Sequence, residues 1–267
     1  MTFRLSAPRP KRNSPGAAKN GRPMLTIIAT EDISVWPSRM DGSVLMYGDF
    51  VMKDDAKMHS FYGTVSTQDA SFESEGEEDA LVIPHNYVVE HPGDDVDSEN
   101  FMQSWFGVPC IIIEDYCDGS LPKVYGTDCA PLSLQLGFIR NNEKTAYTMT
   151  FNSFGRTNLL PGRYQGNFSF AEPFDVADNE AIALDKSNGH QYKLAPGTGV
   201  AIDVASNNFE HFDNVTLIGS GGATPDTLAG SADIVLTGTW TALSGATLSL
   251  KVFDTGTSKI LIEQKRT

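Results

Sequence analysis

Long apolar runs, paired cysteines and enzyme signature motifs are all missing from this 267-residue chain. No apolar run approaches the roughly 20 residues that a membrane-crossing helix needs. The three cysteines, Cys110, Cys117 and Cys129, include no CxxC pair, which leaves neither a disulfide framework nor an all-cysteine zinc site. Cys110 opens the run Cys110-Ile-Ile-Ile113 and reads as a small core residue. A secretory leader is not expected either, because Pro8, Pro10 and Pro15 interrupt the place where its apolar stretch belongs. The chain therefore reads as soluble and not exported by a signal peptide. The histidines, at 59, 85, 91, 190 and 211, show no HExxH or HxH spacing and no cysteine at ligand spacing. There is no G-x-S-x-G elbow, P-loop or G-x-G-x-x-G. Gly219-Ser-Gly-Gly222 lacks the helix and lysine that phosphate cradling requires, so it reads as a flexible loop.

Positive charge is missing over a long stretch. Between Lys57 and Lys123 there is no lysine or arginine, while Asp69, Glu73, Glu75, Glu77, Glu78, Asp79, Glu90, Asp94, Asp95, Asp97, Glu99, Glu114, Asp115 and Asp118 all fall there. The net charge is −14, yet residues 1–22 hold six cations and no acid. The body is therefore more acidic than the total suggests and should repel a phosphate backbone. Residues 1–23 form a basic arm rich in Pro, Gly and Asn, disordered alone or ordered against a partner.

What is present is strand after strand. Hydrophobic residues make up 40% and charged residues 20%, which excludes wholesale disorder. Apolar, β-branched and aromatic runs occur at 24–30, 44–52, 61–65, 80–89, 108–114, 131–139, 164–170, 191–194, 200–204, 214–218, 233–236, 247–253 and 259–262. Tyr147-Thr-Met-Thr-Phe151 alternates strictly, the period of a half-buried strand. Turn formers such as Asp41-Gly42, Asp118-Gly119 and Ser244-Gly245 separate many of these runs. One helix interrupts them: Asp97-Ser98 offers an N-cap, and Phe101, Met102, Trp105 and Phe106 share an apolar face before Gly107. The fold class is thus all-β, a β-sandwich or partial barrel with one short flanking helix, plus a C-terminal β domain for which an immunoglobulin-like sandwich is one expectation. The expected divisions are the arm at 1–23, a sandwich domain at 24–170 and a C-terminal β-rich domain at 171–267, with a glycine-rich loop or linker at 219–230.

No residue is assigned a catalytic, cofactor-binding or metal-binding role, although three alternatives have residues to inspect. Asp94-Asp95-Val96-Asp97-Ser98-Glu99 offers oxygens to a hard cation but lacks the EF-hand spacing; an acidic cap at a helix N-terminus is the competing reading. A carboxylate pair for glycoside hydrolysis would draw on Glu90, Glu114 and Glu172. A glycan-binding module would need Trp36, Trp105 and Trp240 exposed for stacking, whereas the neighbours of Trp105 and Trp240 suit a core.

Residues from about Ser66 to Phe170 carry an ordered pattern. Ser66-Thr-Gln-Asp-Ala-Ser-Phe72 precedes an acidic loop and the strand 80–89. His91-Pro-Gly93 and the helix 98–106 follow, then the strand 109–114, a turn at Asp118-Gly119 and Val124-Tyr-Gly126. Pro131-Leu-Ser-Leu134 and Tyr147-Thr-Met-Thr-Phe151 close the unit. In this order the segment resembles the major tail tube proteins of tailed bacteriophages and, more loosely, the tube proteins of contractile injection machines. The resemblance spans about two fifths of the chain and does not extend to the basic arm. It implies a virion structural protein: six copies in a ring, an inner β-barrel lining a channel, and rings stacked through loops and a terminal arm. DNA would pass without specific binding, other virion proteins would be the partners, and no membrane, cofactor or catalysis would be involved. The location would be the virion tail, after assembly in the host cytoplasm. An acidic lumen would let the genome slide, and the arm would bind a neighbour's acidic surface. A connector ring, a head decoration or baseplate protein, and a glycan-binding adhesin remain alternatives.

Overall fold

The computed structural model describes residues 16–178 and 181–267. It is mostly strand, with one α-helix. Among the described residues no helix is long and apolar enough to cross a membrane. The chain divides into two compact units. The first holds residues up to Glu31, Arg39–Met46 and His59–Gln165; the second holds Asp32–Ser38, Tyr47–Met58 and Gly166–Thr267. The second unit thus takes two segments from within the expected 24–170 domain. Of the basic arm, residues 1–15 lie outside the described residues.

The first unit is a sandwich made from one sheet folded on itself. One layer runs His59–Tyr62, Met24–Ala29, Cys110–Glu114, Lys123–Tyr125, Gly162–Tyr164 and Leu45–Tyr47. The other runs Leu132–Arg140, Thr145–Ser153, His85–Pro92 and Asp69–Phe72, all antiparallel. A single residue pair, Leu132 opposite Cys110, joins the two layers. Strand Cys110–Glu114 is buried along its whole length, which explains why its sequence is a continuous apolar run instead of an alternation. In Thr145–Ser153, by contrast, Met149 and Phe151 are fully buried while Thr148 and Thr150 are only partly covered. Leu25, Ile27, Tyr87, Val89, Ile112, Leu134, Met149 and Phe151 fill the space between the layers. Each such side chain contributes about 1.5–3 kcal/mol by leaving water. Cys110 is in this core, as its sequence context suggested, and burial pushes its thiol up to about 12.

The helix closes one end of the sandwich. It spans Val96–Trp105, starting two residues before the expected position, because Asp95 and not Asp97 is the cap. Asp95 accepts the Ser98 N–H at 3.0 Å and the Ser98 hydroxyl at 2.8 Å. His91 Nδ1 donates to the Tyr62 carbonyl at 2.8 Å, and its Nε2 lies 2.8 Å from Ser98 Oγ, tying helix to sandwich. Met102 and Trp105 are buried, and Phe101 stacks on Phe61 at 5.4 Å. Phe106 departs from the expected apolar face. It follows the last helical turn with extended backbone and is 61% exposed.

The second unit begins with parallel pairing. Phe174–Val176, Gln191–Leu194 and Asn214–Ile218 lie side by side in parallel, and so do the intervening strands Ile182–Leu184 and Val204–Asn207. Alternate segments thus feed two sheets, the pattern of a short solenoid. This differs from the antiparallel pairing of an immunoglobulin-like domain, although the all-β class holds. The antiparallel pair Thr247–Asp254 and Lys259–Arg266 packs against Asn214–Ile218. Tyr192, Leu217, Leu228, Trp240 and Leu250 fill its core.

Segment 47–58 belongs here because buried polar groups hold it. The Gln191 side chain donates to Phe50 O at 2.7 Å and accepts from Met52 N–H at 2.9 Å. Asp49 accepts from Asn167 N–H at 2.8 Å and the Thr216 hydroxyl at 3.1 Å, while burial pushes its carboxyl above the ordinary range. The expected linker at 219–230 is a packed loop. A Cβ on Gly219 would sit 2.4 Å from Leu243 O, and Gly222 (φ +117°) lies as close to Gly197 N as 2.5 Å by the same measure. Thr227–Leu228 within it pairs with Trp240–Thr241.

Phe151→Ala, at a site with no exposure, is expected to destabilise by about 3–5 kcal/mol in chemical denaturation, and Phe138→Ala, half exposed, by under about 0.5 kcal/mol. Glu263 accepts a bidentate pair of bonds from Arg266, both 2.6 Å, and the Thr237 N–H at 2.7 Å. These contacts, the Arg266 bond above all, hold its carboxyl down at about 2 against an ordinary 4.5. Its contribution to stability is complete above pH 4.5 and is lost as pH falls toward 2. Denaturation across that window should show a shallower acid-side loss in Glu263→Gln than in the parent chain.

Candidate assembly surface

The sheet formed by 69–72, 85–92, 145–153 and 132–140 is the most informative surface of the first unit. Its inner face is core. Its outer face is set by register: Gln135, Thr150, Val88 and Asp69 form one row, and Ser133, Asn152, Asn86 and Ser71 form the next. Hydroxyls and amides dominate, and some bond across strands. Asn152 Nδ2 donates to Gln135 Oε1 at 3.2 Å, and Asn86 Nδ2 to Ser71 Oγ at 3.4 Å. Asp69 and Glu90 are the charges on this face. Arg140 is the one lysine or arginine in the four strands; it lies at a strand end on the inner-face register, 3.5 Å from Asp94.

Both margins of this sheet are open among the described residues. Asp69–Phe72 pairs only with His85–Pro92 and is exposed throughout. Beyond its corner, Leu132–Arg140 has Thr145–Ser153 on one side and, on the other, a single bridge from Phe106 to Leu134, with no ladder past it among the described residues. Unpaired edges of this kind are templates for pairing with another strand. The hairpin also outruns its cover. Leu132 and Leu134 are buried, but Leu136 and Phe138, on the same face, are 36% and 51% exposed. Phe138 leans on Tyr147 at 4.7 Å. Between the hairpin and the helix lies a groove of about 550 Å³, lined by Met102, Phe106, Leu136 and Tyr147 with Glu99 at its rim.

The residues singled out from sequence are dispersed. Glu90 pairs with Lys144 at 2.6 Å. Glu114 is buried, and its Oε2 accepts from the hydroxyls of Tyr116 (2.7 Å) and Tyr125 (3.0 Å). Burial, with Glu114 beside it, pushes the Tyr125 hydroxyl far up. Glu172, in the second unit, lies 3.3 Å from Lys57. Asp94 and Asp95 serve Arg140 and the helix cap. Among the described residues no group of three or more His, Cys, Asp or Glu side chains is placed to hold a metal ion. Trp105 and Trp240 are buried, and Trp36, partly covered, packs edge-on against Phe50. His85 is also buried. It accepts the Gly126 N–H at Nδ1 and faces the Leu159 carbonyl through Nε2, and burial lowers its pKa.

The described root of the arm lies against the body of its own chain. Arg22 N–H donates to Asp115 O and Cys117 N–H to Asn20 O, a short antiparallel bridge centred on Gly21 and Tyr116. Ion pairs reinforce it, Arg22 to Asp115 at 2.8 Å and Lys19 to Asp118 at 3.8 Å. Sequence reasoning did not find this contact; the opposite charges of 19–22 and 115–118 were its signal. No family model, no curated protein and no solved structure matches the chain.

Proposed function

We propose that the chain is a virion structural subunit of the tail-tube type, assembling head to tail into rings around a channel through which DNA passes. The observation that carries this reading is the four-stranded sheet with two open margins and a polar outer face whose strands supply two carboxylates, Asp69 and Glu90, and no cation. A sheet open at both ends joins copies by a heterologous contact, the margin of one to the opposite margin of the next, and such contacts close into rings when the rotation permits. The outer faces would then line the channel. Their strands contribute no lysine or arginine to that face, and Lys144, from the adjoining turn, is already paired with Glu90, so they give phosphates little counterion to release and little grip on the backbone. Smooth passage then depends less on a dense acidic lumen than on the lack of unpaired cations there. The acidic loops add long-range repulsion. Connector and baseplate subunits could be built on the same open sheet, and the ring is the part of the reading they share.

Ala70 is exposed on one margin; at Gly137, on the other, a new Cβ would meet only ordinary contacts from 3.7 Å outward. Ala70→Lys and Gly137→Lys should each abolish the high-mass species in sedimentation velocity, since lysine on an edge strand blocks pairing, while circular dichroism stays unchanged. Association that survives both substitutions would rule out assembly through these margins.

A further inference from the structure

The groove between helix and hairpin combines two properties. Met102, Phe106, Leu136 and Tyr147 give it an apolar lining beside the amides of Asn100 and Gln103, with Phe106 and Leu136 exposed to solvent. It is acidic at its rim, where Glu99 lines it, and Asp94, Asp95 and Asp97 gather at the same end of the helix. Only Arg140, paired with Asp94, offsets these charges within the strand beside them. Burying the apolar lining would yield free energy, and the rim selects for a cationic segment.

The chain contains such a segment outside its described part. Residues 1–15 hold Arg4, Arg9, Lys11 and Arg12, no acid, and the apolar side chains of Phe3 and Leu5 beside Arg4. The described chain sets off from the 115–120 loop, where Lys19 donates to Ser120 Oγ at 2.8 Å. Fifteen residues reach at most about 50 Å, enough for a groove on the same subunit or on an adjoining one.

We propose that this groove is the seat of residues 1–12 of the same chain, from its own arm or a neighbour's, with Phe3 and Leu5 in the apolar lining and Arg4, between them, at Glu99. The contact deepens the assembly reading and rests on that reading for its purpose, that of an adhesive between or within subunits. Like other charged segments that order on contact, the arm would bind more weakly as salt rises.

The test uses the full-length chain with a photoreactive benzoyl-phenylalanine in place of Phe3. Irradiation should crosslink position 3 to peptides from 96–106 or 132–149, within one chain or between two. Crosslinks confined to other peptides would overturn the proposal. A second measurement follows tryptic cleavage at the arm's basic residues. Combining Phe106→Gln and Glu99→Gln, both at exposed positions in the groove lining, should speed that cleavage about fivefold or more, because cleavage follows the population of the open form. The pair Glu77→Gln and Glu78→Gln, in the other acidic loop, should leave it unchanged. Equal rates in parent and groove variants, or equal acceleration by the loop pair, would refute a seat in the groove. Rings without the crosslink sink this contact and spare the assembly reading; the crosslink without rings does the reverse.

Discussion

The single pairing of Leu132 with Cys110 sets the geometry on which the first unit depends. It lets one continuous sheet turn back on itself, so that Ile27 and Ile112 meet Met149 and Phe151 across a dry core. Because the layers join at one end of the strand 132–140, the rest of that strand has no ladder on the side away from 145–153, where a single bridge from Phe106 to Leu134 is its contact. The core therefore produces the open margin directly. The same geometry carries Leu136 and Phe138 past the end of the opposing layer, leaving apolar surface that a free subunit exposes to water. A stable fold and an unsatisfied edge arise together, as expected of a subunit whose edges are completed by assembly.

Electrostatics works alongside this geometry. Most of the acids that crowd 69–118 collect in loops and at the helix start, with Asp69, Glu90 and Glu114 in strands, while the outer face of the sheet is mostly hydroxyl and amide. Where basic residues approach this acidic stretch, they do so at defined points: Arg22 at Asp115, Lys19 at Asp118, Lys144 at Glu90 and Arg140 at Asp94. Exposed pairs of this kind are each worth about 0–1 kcal/mol, so they orient segments more than they stabilise the fold. Buried polar contacts do more. Gln191 and Asp49 bind segment 47–58 to the second unit through hydrogen bonds whose loss would strand polar groups out of water.

The all-β class was legible because most strands announce themselves by alternation or by apolar runs, and 147–151 and 110–113 are clear cases. The helix was legible from its aromatic spacing, though its start was displaced because Asp95, Asp97 and Ser98 all qualify as caps and only packing selects Asp95. The interleaving of the two units could not be read. It rests on Gln191 meeting Phe50 and Met52 far away in sequence, and one glutamine carries no local signal. Parallel pairing in the second unit was hidden too, since short strands such as 174–176 and 182–184 look like any three-residue apolar stretch. The surface proposed for assembly was legible only as a charge anomaly; its open margins are a property of topology. Glu90, Glu114 and Glu172 had to be located in space, where each has a partner of its own.

Negative-stain microscopy of the purified full-length chain across a wide concentration range tests the central claim most directly. The account predicts rings, alone or stacked into tubes, with a stain-filled central channel. A field of single 29.0 kDa particles at every concentration, with no ring at the highest, would contradict it.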